Sequence, residues 1–158
     1  MQNAVLMEIA DTFEFLLGRW SLDRTLSAGR SGDFGWFHGT GELRTAAPAS
    51  ECGRDCVARY QELGRLRCGS YDGTARRTLD YLRTDTGAVV VNFSDGRRYI
   101  ALDLRHGFCQ AEHPCGDDLY EIGFRVCADD LMEERWRVRG PRKNYDACTV
   151  WQRVASTP

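Results

Sequence analysis

The sequence predicts an all-β chain, one antiparallel up-and-down β-barrel of about eight to ten strands behind a short N-terminal helix. Three observations predict it. Past Gly18 the chain breaks into short runs of β-branched and aromatic residues, interrupted by Gly, Asp, Asn or Ser roughly every ten residues. Inside the runs, apolar side chains alternate with polar ones. Tyr120, Ile122, Phe124 and Val126 are separated by Glu121, Gly123 and Arg125, and Trp136 and Val138 alternate with Arg135, Arg137 and Arg139. That period gives each strand one dry and one wet face, and places those three arginines outside. Turn formers stand between the runs, in "TDTGA", "SDGRR", "HPCGDD" and "CADDL". Closing so many strands on themselves removes every open edge.

The elements follow in order. Residues 4–17, "AVLMEIADTFEFLL", place Val5, Ile9, Phe13 and Leu16 or Leu17 at helical spacing, and Gly18 stops the helix. Strand runs then read "RWSLDRTL", "GWFHGTGELR", "CVARYQELGRLR", "RRTLDYLRT" and "GAVVVNFS", followed by "RRYIALDLR", "FCQAEHP", "DLYEIGFRVC", "MEERWRVRG" and "CTVWQRV". No repeat, linker or low-complexity segment divides them. A chain of 158 residues is expected to form one domain over residues 1–158 with a real core.

Charge is nearly balanced, 21 basic against 23 acidic side chains, which gives no reason to expect a nucleic-acid partner. No run of about 18 apolar residues suggests a membrane span. The N-terminus carries Glu8 and Asp11 and lacks the basic start of a secretory signal. Seven cysteines, an odd number without a Cys-x-x-Cys pair, then read as reduced thiols in a cytoplasmic protein.

The two ends of the chain belong together. "FLLGRWSLDR" sets Gly18-Arg19-Trp20 after the helix, and "GPRKNYDACTVWQR" ends on Arg153. This resembles the calycin pattern of lipocalins and fatty-acid-binding proteins. There a first-strand Trp plugs the closed end of the barrel and a last-strand Arg lies over its indole. "YQELGRL", "VNFSDGRRYIALDL", "AEHPCGDDLYEIGF" and "WRVRGPRKNYDACTVWQR" extend the resemblance over about residues 15–153. Together they resemble a family of calycin-like domains of unknown function. The resemblance implies a barrel and a structural role for Trp20 and Arg153, without an activity. The family tends to carry a His in the strand after "DGR"; this chain has Arg98-Tyr99-Ile100 there.

Two clusters could carry chemistry. In "EHPCGDDLY", His113 and Cys115 lie two apart, with Asp117 and Asp118 in the expected turn. That suits a Cys-His pair at a barrel mouth, a metal site with Cys109 or an Asp, or a hairpin in which His113 bonds Asp117 or a backbone group. No second pair has ligand spacing, so no metal is expected. In "GPRKNYD", Gly140-Pro141 bends the chain while Lys143 and Tyr145 point inward or into a solvated loop. Among the arginines, Arg24, Arg76 or Arg77, Arg98 and Arg125 sit on different runs, and one or two reach the lumen. Tyr60 and Glu62 share a strand face. Glu62 reads as an external partner for an Arg, the other option being a lumen base. His38 and His106 stand beside glycines, which suggests turns or strand ends, and neither lies near another ligand residue in sequence.

Two functions of different class fit. The first is a barrel that binds a small hydrophobic or amphipathic molecule, anionic or carbonyl-bearing, without a cofactor. Trp36, Phe37, Tyr71, Tyr81, Phe93, Tyr99, Phe108, Tyr120 and Phe124 supply its wall. Arg24, Tyr99, His113, Tyr120, Lys143 and Tyr145 supply the ligand-binding groups, with His113, Tyr120, Lys143 and Tyr145 converging at one mouth. The second is a cofactor-independent cyclase, isomerase or lyase in the same lumen, with His113, Tyr120 or Lys143 as catalytic acid or base. A catalyst needs a titratable group with a displaced pKa facing the mouth; a binder needs only a complementary lumen.

Overall fold

The computed structural model describes residues 6–45 and 57–156. It contains ten strands: β1 Gly18–Ser27, β2 Asp33–Thr45, β3 Val57–Cys68, β4 Tyr71–Arg83, β5 Val89–Phe93, β6 Arg98–Leu102, β7 Phe108–Cys115, β8 Asp118–Ala128, β9 Leu131–Arg139 and β10 Asn144–Arg153. One short α-helix, α1 Thr12–Leu16, precedes them. The strands form one sheet in the order β6-β5-β4-β3-β2-β1-β10-β9-β8-β7, a nearly closed antiparallel barrel. First and last strands join in its middle, from Trp20 opposite Arg153 to Ser27 opposite Asp146.

The two ends of the sheet, β6 and β7, meet without a ladder between them. A side chain bridges that seam: His113 Nδ1 lies 3.1 Å from the Tyr99 carbonyl oxygen. Because the carbonyl only accepts, Nδ1 is the donor.

Alternation builds the core as the sequence requires. Trp20, Leu22, Arg24 and Leu26 of β1 are buried while the residues between them are exposed. On β9, Met132, Glu134, Trp136 and Val138 face in, and Arg135, Arg137 and Arg139 face out. Glycines on the inner wall make room for rings. A Cβ at Gly41 would run into the Tyr60 ring, and one at Gly39 or Gly64 into Phe37.

The N-terminal helix is shorter than its apolar spacing predicts. Val5 lies outside the described residues. Met7 N–H donates to the Val126 carbonyl and Ile9 N–H to that of Arg105, each at 3.1 Å. These backbone partners hold the segment against the barrel, so Ile9 packs on the core without being helical. The helix begins only at Thr12, where Asp11 caps it by accepting from Glu14 N–H at 2.9 Å.

Beside α1 the barrel is shut. Trp20 is fully buried and its Nε1 donates to Leu16 O at 3.0 Å. The Arg153 guanidinium carbon lies 4.1 Å from the Trp20 ring centroid. Its Nη1 donates to Leu17 O at 2.8 Å and its Nη2 to Phe15 O. One side chain thus covers the indole and satisfies carbonyls at the end of α1. The five described cysteines, Cys68, Cys109, Cys115, Cys127 and Cys148, are unpaired; Cys52 and Cys56 lie outside the described residues. Among the described residues no helix is long and apolar enough to cross a membrane.

Candidate functional site

Up-and-down topology sends alternate turns to opposite ends of the barrel. The β1–β2, β3–β4, β5–β6, β7–β8 and β9–β10 connections lie at the end away from α1. The register places His113 opposite Tyr120, Tyr120 opposite Val138, and Val138 opposite Tyr145. These inward positions form one row across four neighbouring strands.

Lys143, in the β9–β10 corner, donates from Nζ to Tyr120 Oη at 3.0 Å. The His113 and Tyr120 ring centroids are 6.3 Å apart, and His113 lies 5.1 Å from Tyr99 and 5.4 Å from Phe93. The expected group of His113, Tyr120, Lys143 and Tyr145 therefore shares one mouth, with Tyr99 beside it. The Gly140-Pro141 bend has a packing cause: Asp118, expected in a turn, is buried where a Gly140 Cβ would stand. Cys115 is exposed at the β7–β8 turn. Of the two partners expected for His113, Asp117 or a backbone group, it takes a backbone group, the Tyr99 carbonyl across the seam rather than one in its own hairpin. Among the described residues no three His, Cys, Asp or Glu side chains gather as a metal site.

Arg24 is not part of the mouth. It lies deeper, where Nη1 and Nη2 donate to Glu62 Oε1 and Oε2 at 2.9 and 3.2 Å, and Nε donates to Thr149 Oγ1 at 2.8 Å. Glu62 is thus an interior residue, not the external ion-pair partner expected. It shares strand parity with Tyr60, whose Oη donates to it at 3.0 Å, and it also accepts from Arg77 Nη2 at 3.1 Å. Burial would raise the Glu62 pKa. The charges of Arg77 and Arg24, with the bonds from Arg24 and Tyr60, outweigh burial and bring it to about 2.

Glu134, which the sequence reading passed over, completes the layer. Its two carboxylate oxygens accept from the indole N–H groups of Trp136 at 2.7 Å and Trp151 at 3.0 Å. The guanidinium carbons of Arg24 and Arg77 lie 4.8 and 5.1 Å from the Trp136 ring centroid. The signal was in the sequence. Glu134 alternates in step with Met132, Trp136 and Val138, and Arg77 with Ala75, Leu79 and Tyr81.

Between this layer and the mouth the inward-facing side chains are less completely covered than in the core. Inward-facing Leu66, Ala75, Phe93, Tyr99, Tyr120, Trp136 and Tyr145 are only partly buried. The Arg77 side chain keeps 24% of its surface accessible although it pairs with Glu62 inside the barrel. The wall differs from the expected one at three places. Trp36 faces outward and packs on His38 at 4.4 Å, and Tyr71 and Phe108 are exposed. Tyr71 and Phe108 open strands β4 and β7 beside turns, where a side chain stays exposed whatever its parity, and Trp36 falls on the outward parity of β2.

Burial pushes the Tyr99 phenol upward. Burial, then the charge of Tyr120 and a hydrogen bond with it, do the same for Tyr145. The bond to Tyr120 raises the Lys143 pKa and so favours the ammonium. A separate groove of about 930 Å³ runs over the outside of β7–β10 and β1. It is lined by outward residues such as Glu121, Gly123, Arg135, Arg137 and Asp146.

A family model described as a family of unknown function, DUF6314, matches residues 16–153. No curated protein matches the chain. Among solved structures, an S-type phycobiliprotein lyase, CPES, from Guillardia theta aligns with TM-score 0.67 at 9% identity, covering 92% of each chain. A de novo designed fluorescence-activating β-barrel aligns with TM-score 0.48 at 13% identity, covering 92% of this chain and all of its own. A protein of unknown function from the DUF3598 family of Nostoc punctiforme PCC 73102 aligns with TM-score 0.44 at 11% identity, covering 94% of this chain and 51% of its own. The lyase likeness is one of fold.

Proposed function

The chain belongs to the DUF6314 family, and we propose that its barrel binds one small hydrophobic or amphipathic organic molecule in the mouth-side half of the lumen. The observation that carries this reading is a set of inward side chains that remain accessible. Leu66, Ala75, Tyr99, Trp136 and Tyr145 point into the barrel and still leave surface uncovered. An aromatic-walled space with a few fixed polar groups suits a small ligand. Tyr120, Lys143, Tyr145 and His113 would orient the ligand's outer end at the mouth, with Tyr99 packed beside them. Arg24, held by Glu62 and Thr149, would act from behind by fixing the floor.

Binding is favoured over acid–base catalysis because the candidate acid and base groups are engaged with one another and with backbone: Lys143 donates to Tyr120, and His113 donates to the Tyr99 carbonyl. The place of work is taken to be the cytoplasm, where the five described thiols would stay reduced.

Nile red, a neutral dye that brightens in apolar surroundings, tests the reading. A saturable, one-to-one rise in its fluorescence is expected. Ala75→Trp, which fills the lumen, should abolish the rise. Gly123→Leu should not, because a Cβ at Gly123 enters open space in the outer groove. No rise would overturn binding, and the reverse pattern would move the ligand to the outer groove. Conversion of a co-purifying compound by the protein would instead favour a cyclase, isomerase or lyase.

A further inference from the structure

The innermost wall of the lumen is a layer whose charges already cancel. Arg24 and Arg77 face Glu62 and Glu134, two formal positive charges against two negative. Glu62 is engaged by both arginines and by Tyr60, and both oxygens of Glu134 are held by indoles. Arg24 uses Nε, Nη1 and Nη2 on Thr149 and Glu62. Arg77 is committed less fully. Its Nη2 bonds Glu62, while its Nε is buried with no hydrogen-bond partner among the described residues. An enclosed N–H without an acceptor is destabilising, and native structures keep such groups rare.

We infer, resting on the binding reading above, that the ligand's inner end is a neutral hydrogen-bond acceptor, a ketone or amide oxygen on a planar ring system, set against Arg77 and Trp136. A guanidinium ordinarily favours a carboxylate. Here the carboxylates are supplied by the protein. A third would leave the enclosed layer with an uncompensated negative charge beside Glu62 and Glu134, the arrangement buried sites disfavour most. A neutral oxygen takes an Arg77 N–H without adding charge. A small movement of the side chain toward the lumen, onto which it already opens, brings that N–H to the oxygen. Planarity follows from the walls, since Trp136, Tyr99 and Tyr145 offer ring surfaces for stacking.

Two matched fluorophores test the inference: a dimethylaminonaphthalene ketone and the corresponding dimethylaminonaphthalene carboxylate, titrated at pH 7. The ketone should bind about tenfold tighter or more. The infrared carbonyl stretch of the bound ketone should lie lower than in an apolar solvent. Arg77→Lys keeps the positive charge beside Glu62 and removes Nε–H. It should weaken the ketone about five- to tenfold and return the stretch toward the free value. If that variant does not fold, the wild-type affinities and carbonyl frequency decide. A carboxylate that binds as well as the ketone, or an unshifted stretch, overturns this inference and leaves the binding reading standing. Binding of neither probe overturns both.

Discussion

Glu62 shows how much one interior carboxylate can control. Its pKa falls from 4.5 to about 2 on folding. A depressed pKa stabilises the fold wherever the group is ionised in both states. The contribution, about 3 kcal/mol, is therefore whole above pH 4.5 and is lost as pH falls through about 2. Glu62→Gln should cost about 3–5 kcal/mol at pH 7, because it leaves Arg24 and Arg77 without their shared partner. It should also flatten the stability profile between those two pH values, as urea unfolding at stepped pH would record. An unchanged profile would place the acid sensitivity elsewhere. At the mouth, Lys143→Met should weaken Nile red binding and leave the melting temperature nearly unchanged, since Lys143 is exposed. Equal losses of binding and stability would assign Lys143 to the scaffold. The sequence placed the mouth residues well because turns and parity determine them. It misplaced Glu62 because a charged side chain was set outside against the parity it shares with Tyr60, and it misplaced Arg24 because alternation gives the face of a charge but not its depth along the barrel.

At the scale of elements, α1 and the β1–β10 joint act as one closure. Trp20→Ala should cost about 3–5 kcal/mol, read as a lower melting temperature, because the indole is fully buried and bonded to Leu16. An unchanged melting curve would contradict the closure described. The β6–β7 seam is the weaker element. Hydrogen exchange should be faster in β6 and β7 than in β1, β2 and β10, whose strands are laddered on both sides. His113→Ala removes the bond to Tyr99 and should speed exchange in β6 further. Strand positions were legible because turn formers bracket each run. The helix was not, since an apolar spacing records burial, and Met7 and Ile9 are held by backbone partners that only the folded barrel supplies.

For the whole molecule, the pairing of first and last strands governs when the barrel can exist. Trp20 and Arg153 are far apart in sequence yet adjacent in the sheet. Every other ladder joins strands that follow one another along the chain. The hairpins from β1 to β6 can therefore assemble while the chain is still being synthesised. The lumen cannot. Until β10 is made, β1 and β9 lack their common neighbour, Arg24 lacks Thr149, and Glu134 lacks Trp151. The closed interior then arises in one late step, whose slow part is a long-range encounter. A chain stopped after Gly140 would keep the free β1 edge throughout, and sedimentation should find it self-associated through that edge. Release of the chain before β10 is made would thus leave a sticky sheet edge where the finished molecule has a seam.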